Sequence, residues 1–172
     1  MKKLLILAVF FTGLLQGCRG QGRHLAVGDV MPPFSLTNQD GKVFNTTDYV
    51  GKKILVIYFY PKDESSVCTK EACAFRDNYG AFTKAGAVVA GINDAPVETH
   101  QKFGANHQLP FFVLSDPGNK VLKQFGVGNF IITGRETFVV GLDGKIAYTY
   151  NAMLQGSKHA EQALKFVQSM KR

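Results

Sequence analysis

Hydrophobic positions change period several times along the chain, and each change marks an element. Phe34 and Leu36, then Val43 and Phe44, flank Asn38-Gln39-Asp40-Gly41, whose Asp-Gly pair predicts a hairpin. Residues 54–60 are an unbroken apolar or aromatic run rich in β-branched side chains. Such a run predicts a strand buried on both faces, at the centre of a sheet covered by helices. After Pro61 the spacing turns helical. Cys68, Ala72, Phe75, Tyr79 and Phe82 recur at three and four, predicting one amphipathic helix over 66–84, ended by Gly86. A second buried strand is predicted at 87–92, a helix at 96–107 opened by Pro96, a short strand at 111–114, and a short helix at 119–125 ended by Gly126. Residues 136–142 and 145–150, joined at Asp143-Gly144, predict a hairpin, and 156–170 a last amphipathic helix. The alternation predicts a three-layer α/β sandwich, a central mixed sheet flanked by helices with an N-terminal β-hairpin. No internal repeat and no second domain are visible.

The first residues follow another pattern. Lys2 and Lys3 precede a nearly unbroken apolar run over 4–15, followed by Gln16, Gly17 and Cys18. Twelve helical residues cover roughly 18 Å, short of a membrane of about 30 Å, so 1–17 reads as a signal peptide. Leu15-Gln16-Gly17-Cys18 resembles the lipobox of bacterial lipoproteins, whose cysteine becomes the lipid-modified first residue of the mature chain. The expected organisation is a signal peptide over 1–17, a lipidated, flexible, Gly-rich tether over 18–28, and a folded domain over 29–172. The expected location is outside the cytoplasm, as a membrane-anchored lipoprotein facing the periplasm or cell exterior. The alternative is a soluble periplasmic protein with Cys18 a bystander.

Composition narrows the function. With 172 residues, 45% hydrophobic and 19% charged, the chain is an ordinary globular one, neither disordered nor collagen-like nor coiled-coil. The net charge of +7 falls to +5 without Lys2 and Lys3, and the basic residues are scattered, without the clustered patch that nucleic-acid binding asks for. A domain of about 150 residues sustains its own core, so three cysteines are no disulfide scaffold. Setting Cys18 aside leaves Cys68 and Cys73, an even pair.

Cys68 falls in the first turn of the helix that follows the central strand, where ligands bind in open α/β sheets. A helix start offers unpaired N–H groups and partial positive charge, which favour the nucleophilic thiolate. Ser65 or Ser66 is placed to cap that helix. In an ideal helix the Cα atoms of Cys68 and Cys73 stand ~8.6 Å apart. A disulfide needs about 7 Å or less, so a bond between them requires local unwinding. That fits a transient catalytic disulfide; a helix beginning later would also admit a static one.

Tyr58-Phe59-Tyr60-Pro61-Lys62-Asp63, Ser65, Cys68-Thr69, Glu71-Ala72-Cys73 and Phe75-Arg76-Asp77 resemble the active-site segment of the Q-type peroxiredoxins, the bacterioferritin comigratory protein group. Residues 28–36, Leu114-Ser115-Asp116-Pro117 and Arg135-Glu136-Thr137-Phe138-Val139-Val140 extend the resemblance along the chain. Where the family commonly has Thr-Pro-Gly-Cys, this chain has Ser65-Ser66-Val67-Cys68. The resemblance implies a thioredoxin-like fold and a thioredoxin-dependent peroxidase of the atypical two-cysteine kind. The resemblance implies reduction of hydrogen peroxide and organic hydroperoxides, with Cys68 as peroxidatic and Cys73 as resolving cysteine. It further implies that Pro61 shields the sulfur, Ser65 orients the peroxide and Arg135 supports the thiolate. No metal or organic cofactor is required. The implied partners are a peroxide, a thioredoxin-like reductant and, through Cys18, the membrane; the chain is read as a monomer. Two other readings stand beside it: a membrane-tethered thioredoxin-fold copper chaperone using Cys68, Cys73 and a histidine such as His100 or His107, and a catalytically silent binding lipoprotein. A thioredoxin-type oxidoreductase needs Cys-x-x-Cys, which is absent. Phe75, Phe82 and Phe103 are expected in the core rather than on a substrate rim.

Overall fold

The computed structural model describes residues 23–128 and 134–170. Seven strands form one mixed sheet: β1 (Ser35–Asn38), β2 (Val43–Asn45), β3 (Ile54–Phe59), β4 (Ala87–Asn93), β5 (Phe112–Ser115), β6 (Glu136–Val140) and β7 (Ile146–Asn151), in the spatial order β2-β1-β5-β4-β3-β6-β7. β3, β4 and β5 run parallel, joined by helical crossovers, while β1 and β6 pair antiparallel with β5 and β3. The helices are α1 (Ser66–Asp77), α2 (Tyr79–Lys84), α3 (Val97–Asn106), α4 (Lys120–Phe125) and α5 (Gly156–Ser169).

β3 is the centre that its composition predicts, buried along its whole length. Its side chains alternate between two cores. Val56, Tyr58 and Tyr60 join Phe75, Phe82, Phe103 and Ala163 on one face. Leu55, Ile57 and Phe59 join Leu25, Phe34, Phe125 and Phe138 on the other. Phe75, Phe82 and Phe103 are fully buried, as core packing requires.

The single helix expected over 66–84 is two helices. The chain breaks at Asn78 (φ −100°, ψ 3°), whose side-chain amide donates to the carbonyl of Ala74 at 2.9 Å. A short polar side chain that bonds its own backbone offers the helix an exit. A 3-10 turn at Thr46–Asp48, unread in the sequence, follows β2.

The boundary expected between tether and domain also moves. Leu25 is buried and its N–H donates to the carbonyl of Phe125 at 3.1 Å, the N–H of Gly28 donates to that of Ile146 at 2.8 Å, and His24 pairs with Glu136 at 2.8 Å. Residues 24–28 therefore belong to the folded domain, held by backbone bonds that Gly-rich composition conceals. Cys18, the expected signal peptide and the start of the tether lie outside the described residues.

Candidate active site

The parallel strands β3, β4 and β5 end on one side of the sheet, and the loop from β3 to α1 crosses there. Two anchors fix that loop. Asp63 is buried; Oδ1 accepts from Tyr60 Oη and Asn93 Nδ2, each at 2.7 Å, and Oδ2 pairs with His100 Nδ1 at 2.8 Å. Burial opposes its ionisation, but the bonds from His100, Tyr60 and Asn93 prevail and hold its carboxyl below the ordinary value. Glu64, at the surface, accepts from Asn106 Nδ2 at 3.0 Å and pairs with His107 Nε2 at 2.8 Å. On the far side of the cysteines, Arg76 Nη1 donates to the carbonyl of His107 at 2.9 Å, so one residue of α3's end holds the chain on both sides of them.

Ser65 occupies the N-cap position of α1 in an extended conformation, yet its side chain does not cap the helix. Its hydroxyl donates instead to the carbonyl of Lys62 at 3.2 Å. This corrects the expected capping role: the loop turns tightly enough for Ser65 to close on itself. The free N–H groups of the first turn thus keep their partial positive charge beside Cys68.

Cys68, 1% exposed, faces Arg135, which immediately precedes β6 and is 2% exposed. Every part of the guanidinium is engaged. Nη2 donates to Cys68 Sγ at 3.0 Å, Nη1 to Glu71 Oε2, and Nε to the carbonyl of Met153 at 2.9 Å. A fixed, always-charged fork on the sulfur favours negative charge there and repels a second cation, which disfavours the copper reading. Among the described residues no group of three or more His, Cys, Asp or Glu is arranged to hold a metal ion, and His100 and His107 are bound to Asp63 and Glu64.

Behind Arg135, His159 of α5 is fully buried. Its Nε2 bonds the carbonyl of Ala152 at 3.1 Å; its Nδ1 lies 2.8 Å from Thr137 Oγ1 and 3.5 Å from Glu71 Oε1. Burial pulls its pKa down to about 4, aided by the charge of Arg135 and opposed by the Ala152 bond. Burial likewise pushes Glu71 up to about 8, against the pull of Arg135. Two glycines permit this packing. A Cβ on Gly156 would meet the carbonyl oxygen of Val67 at 2.4 Å, so α5 can start directly against the turn that bears Cys68. A Cβ on Gly91 would meet the Tyr58 ring at 2.5 Å.

Of the residues singled out from sequence, Cys68 and Arg135 meet directly, while Pro61 and Ser65 lie in the loop that leads to them. Cys73 is half-buried further along α1, beside the Arg76 guanidinium, and both thiols are free. The sequence alone does not point to Glu71, Thr137, Met153 or His159 as site residues. Glu71 alone had a local signal, an acid three residues after Cys68 on the same helix face as Ala72 and Phe75.

Comparisons with known proteins agree with this arrangement. Residues 27–149 match the model of the AhpC/TSA family. The chloroplastic peroxiredoxin Q of Sedum lineare is 45% identical over 147 residues, 84% of this chain and 78% of that one. That of Triticum aestivum is 44% identical over 162 residues, 92% and 71% of the two chains. Among solved structures, peroxidoxin BcpB from Mycobacterium tuberculosis superposes with a TM-score of 0.81 at 30% identity, covering 87% of this chain and all of that one. PrxQ from Xylella fastidiosa does so with a TM-score of 0.79 at 25% identity, covering 88% and 100%. The sandwich is thus the thioredoxin-like one expected. A buried sulfur held on a guanidinium and relatives of this similarity lead to one conclusion: the chain belongs to the AhpC/TSA family, as a thiol-dependent peroxidase of the peroxiredoxin Q kind.

Proposed function

We propose that Cys68 is the sulfur that attacks the peroxide and that Cys73 resolves it. The observation that carries this reading is the 3.0 Å bond from Arg135 Nη2 to Cys68 Sγ inside a buried site. The thiolate displaces hydroxide or alkoxide from hydrogen peroxide or an organic hydroperoxide and becomes a sulfenic acid. Arg135 stabilises charge as it moves from sulfur to the leaving oxygen, Ser65 offers a hydroxyl to the peroxide, and Pro61 shields the sulfur. Cys73 then condenses with the sulfenic acid, releasing water, and a thioredoxin-like dithiol reduces the disulfide. Because both cysteines lie within α1, its first turns unwind for that bond to form. The anchors at Asp63, Glu64 and Arg76 confine the rearrangement to the segment between them. A disulfide within one chain requires no second copy, which supports a monomer.

The apolar run over 4–15 and the Cys18 lipobox support export and a lipid anchor. His24 is bound to Glu136, next to Arg135, so the chain enters the domain at the active-site end of the sheet. From Cys18 to Arg23 is at most roughly 18 Å of extended chain. A lipid on Cys18 therefore keeps the site close to the bilayer.

Intact mass tests the cysteine roles on reduced domain, before and after one equivalent of hydrogen peroxide. Wild type is expected to lose two hydrogens, Cys73→Ser to gain one oxygen, and Cys68→Ser to stay unchanged. Three unchanged masses would overturn the assignment. Labelled palmitate in cells should be incorporated by wild type and not by Cys18→Ser; an unlabelled wild type leaves the soluble periplasmic form.

A further inference from the structure

Cys68 and Glu71 are both acids, both buried, and both on the same guanidinium. Arg135 brings one positive charge into this pocket. If thiol and carboxyl were ionised together, the pocket would hold an uncompensated negative charge, which burial makes expensive.

The geometry around Glu71 shows where the spare proton resides. Oε2 is satisfied by Arg135; Oε1 has no hydrogen-bond partner among the described residues, although it is fully buried. Across the helix interface His159 Nδ1 lies 3.5 Å from it. Because His159 Nε2 abuts the Ala152 carbonyl, that nitrogen carries the hydrogen, and Nδ1 accepts from the Thr137 hydroxyl and has no hydrogen to offer Glu71. An ionised Oε1 would face a second acceptor with nothing to accept from. A protonated Oε1 carries no charge and leaves no buried anion without a donor. The other titratable or charged groups facing Glu71 are Cys68 from its own helix, Arg135 from the start of β6 and the Tyr58 hydroxyl from β3, which is itself buried without a partner.

We propose that Glu71 is the proton store that balances Cys68: its carboxyl is protonated while the sulfur is a thiolate and ionised once the sulfur is neutral, so the pocket keeps zero net charge through the cycle. His159 is the positioning residue that makes this possible, because its neutral ring faces Oε1 with no hydrogen to donate and so gives an ionised carboxylate no partner. The inference rests on Cys68 being the attacking sulfur. The upward shift of Glu71 and the downward shift of His159 are in the sense it requires.

The step balances. The thiolate attacks one peroxide oxygen and the O–O bond breaks. Sulfur loses two electrons and the peroxide gains them. The hydrogen on the attacked oxygen stays with the sulfenic acid, and the departing oxide ends as an alcohol or water with the proton that Glu71 gives up. The later disulfide forms with loss of water and leaves Glu71 ionised. Reduction by a dithiol supplies two hydrogens, one to Cys73 and one back to Glu71.

Infrared difference spectroscopy reads this directly. In Cys73→Ser, which stops at the sulfenic acid, one equivalent of hydrogen peroxide should remove the carbonyl band of one protonated carboxyl per chain and add carboxylate bands, while mass spectrometry shows one oxygen on Cys68. The band should be absent before oxidation in Cys73→Ser with Glu71→Gln; Glu71→Asp, which should shift the band rather than abolish it, serves if the Gln variant does not fold. In a pH series, Cys68→Ser should show Glu71 ionised at neutral pH, since no thiolate is there to balance. Oxidation of Cys68 with no change in the carboxyl band overturns the proton store and leaves the cysteine assignment standing. No oxygen on Cys68 overturns both.

Discussion

Two buried carboxylates flank Cys68, and their surroundings give them opposite characters. Asp63 meets three donors over its two oxygens, from the residue after β3, from β4 and from α3. Glu71 meets one cation on one oxygen and, near the other, a ring nitrogen with no hydrogen to donate. Burial penalises ionisation in both; donors return Asp63 to the ionised form, whereas Glu71 stays up at about 8. Glu71 is the more deeply buried of the two, and together with that depth the count and direction of donors decide whether a buried acid is a fixed anchor or a movable proton. One pins the loop before the sulfur, and the other answers to the charge on it.

The comparison breaks most severely at Arg135, which serves the sulfur and Glu71 together. Arg135→Ala should slow oxidation of Cys68 by hydrogen peroxide about a thousandfold, measured by stopped flow, because the aimed cation is lost from the developing charge. A rate within about tenfold of wild type would detach Arg135 from the chemistry. The anchor comes next. Asp63→Ala leaves Tyr60, Asn93 and His100 facing no acceptor in a dry site, and should lower stability to urea by about 4 kcal/mol. A loss below about 0.5 kcal/mol would mean that Asp63 is not an anchor. The smallest effect is in acid. His159 titrates near 4 when folded, below its ordinary 6.5, so the unfolded chain takes up a proton that the folded one refuses between those values. Its contribution is present above pH 6.5 and is lost as the pH falls toward 4, up to about 3 kcal/mol. Urea midpoints at several pH values should show this loss, and His159→Gln should flatten it; an unaltered slope in that variant would place the source elsewhere.

Much of this was legible along the chain. The run at 54–60 declared the central strand because a strand buried on both faces needs no alternation. Cys68 was placed by the change from strand to helical period just after it, and Arg135 by its motif. What escaped has physical reasons. The break at Asn78 depends on a side chain bonding its own backbone, which leaves the apolar period intact on either side. Residues 24–28 are held by two main-chain bonds, which any sequence provides, and by the Leu25 and His24 side chains meeting partners far along the chain. Met153 contributes only a carbonyl, and His159 reaches Glu71 from a helix far along the chain, so neither leaves a local pattern. Ser65 stands at the helix start, as its residue type suggests, but the direction of its hydroxyl is set by the turn and not by its type.

His107 holds Glu64 by its ring and Arg76 by its carbonyl, so the stretch carrying both cysteines has its two ends on one residue. Unwinding α1 therefore opens a small ring rather than a free chain. Ring closure costs entropy that grows only logarithmically with length, and here it is met before any sulfur moves. Inside so short a tether the effective concentration of one thiol at the other is in the millimolar range or above. With the roles proposed for Cys68 and Cys73, disulfide formation is then first order and indifferent to how dilute the protein is.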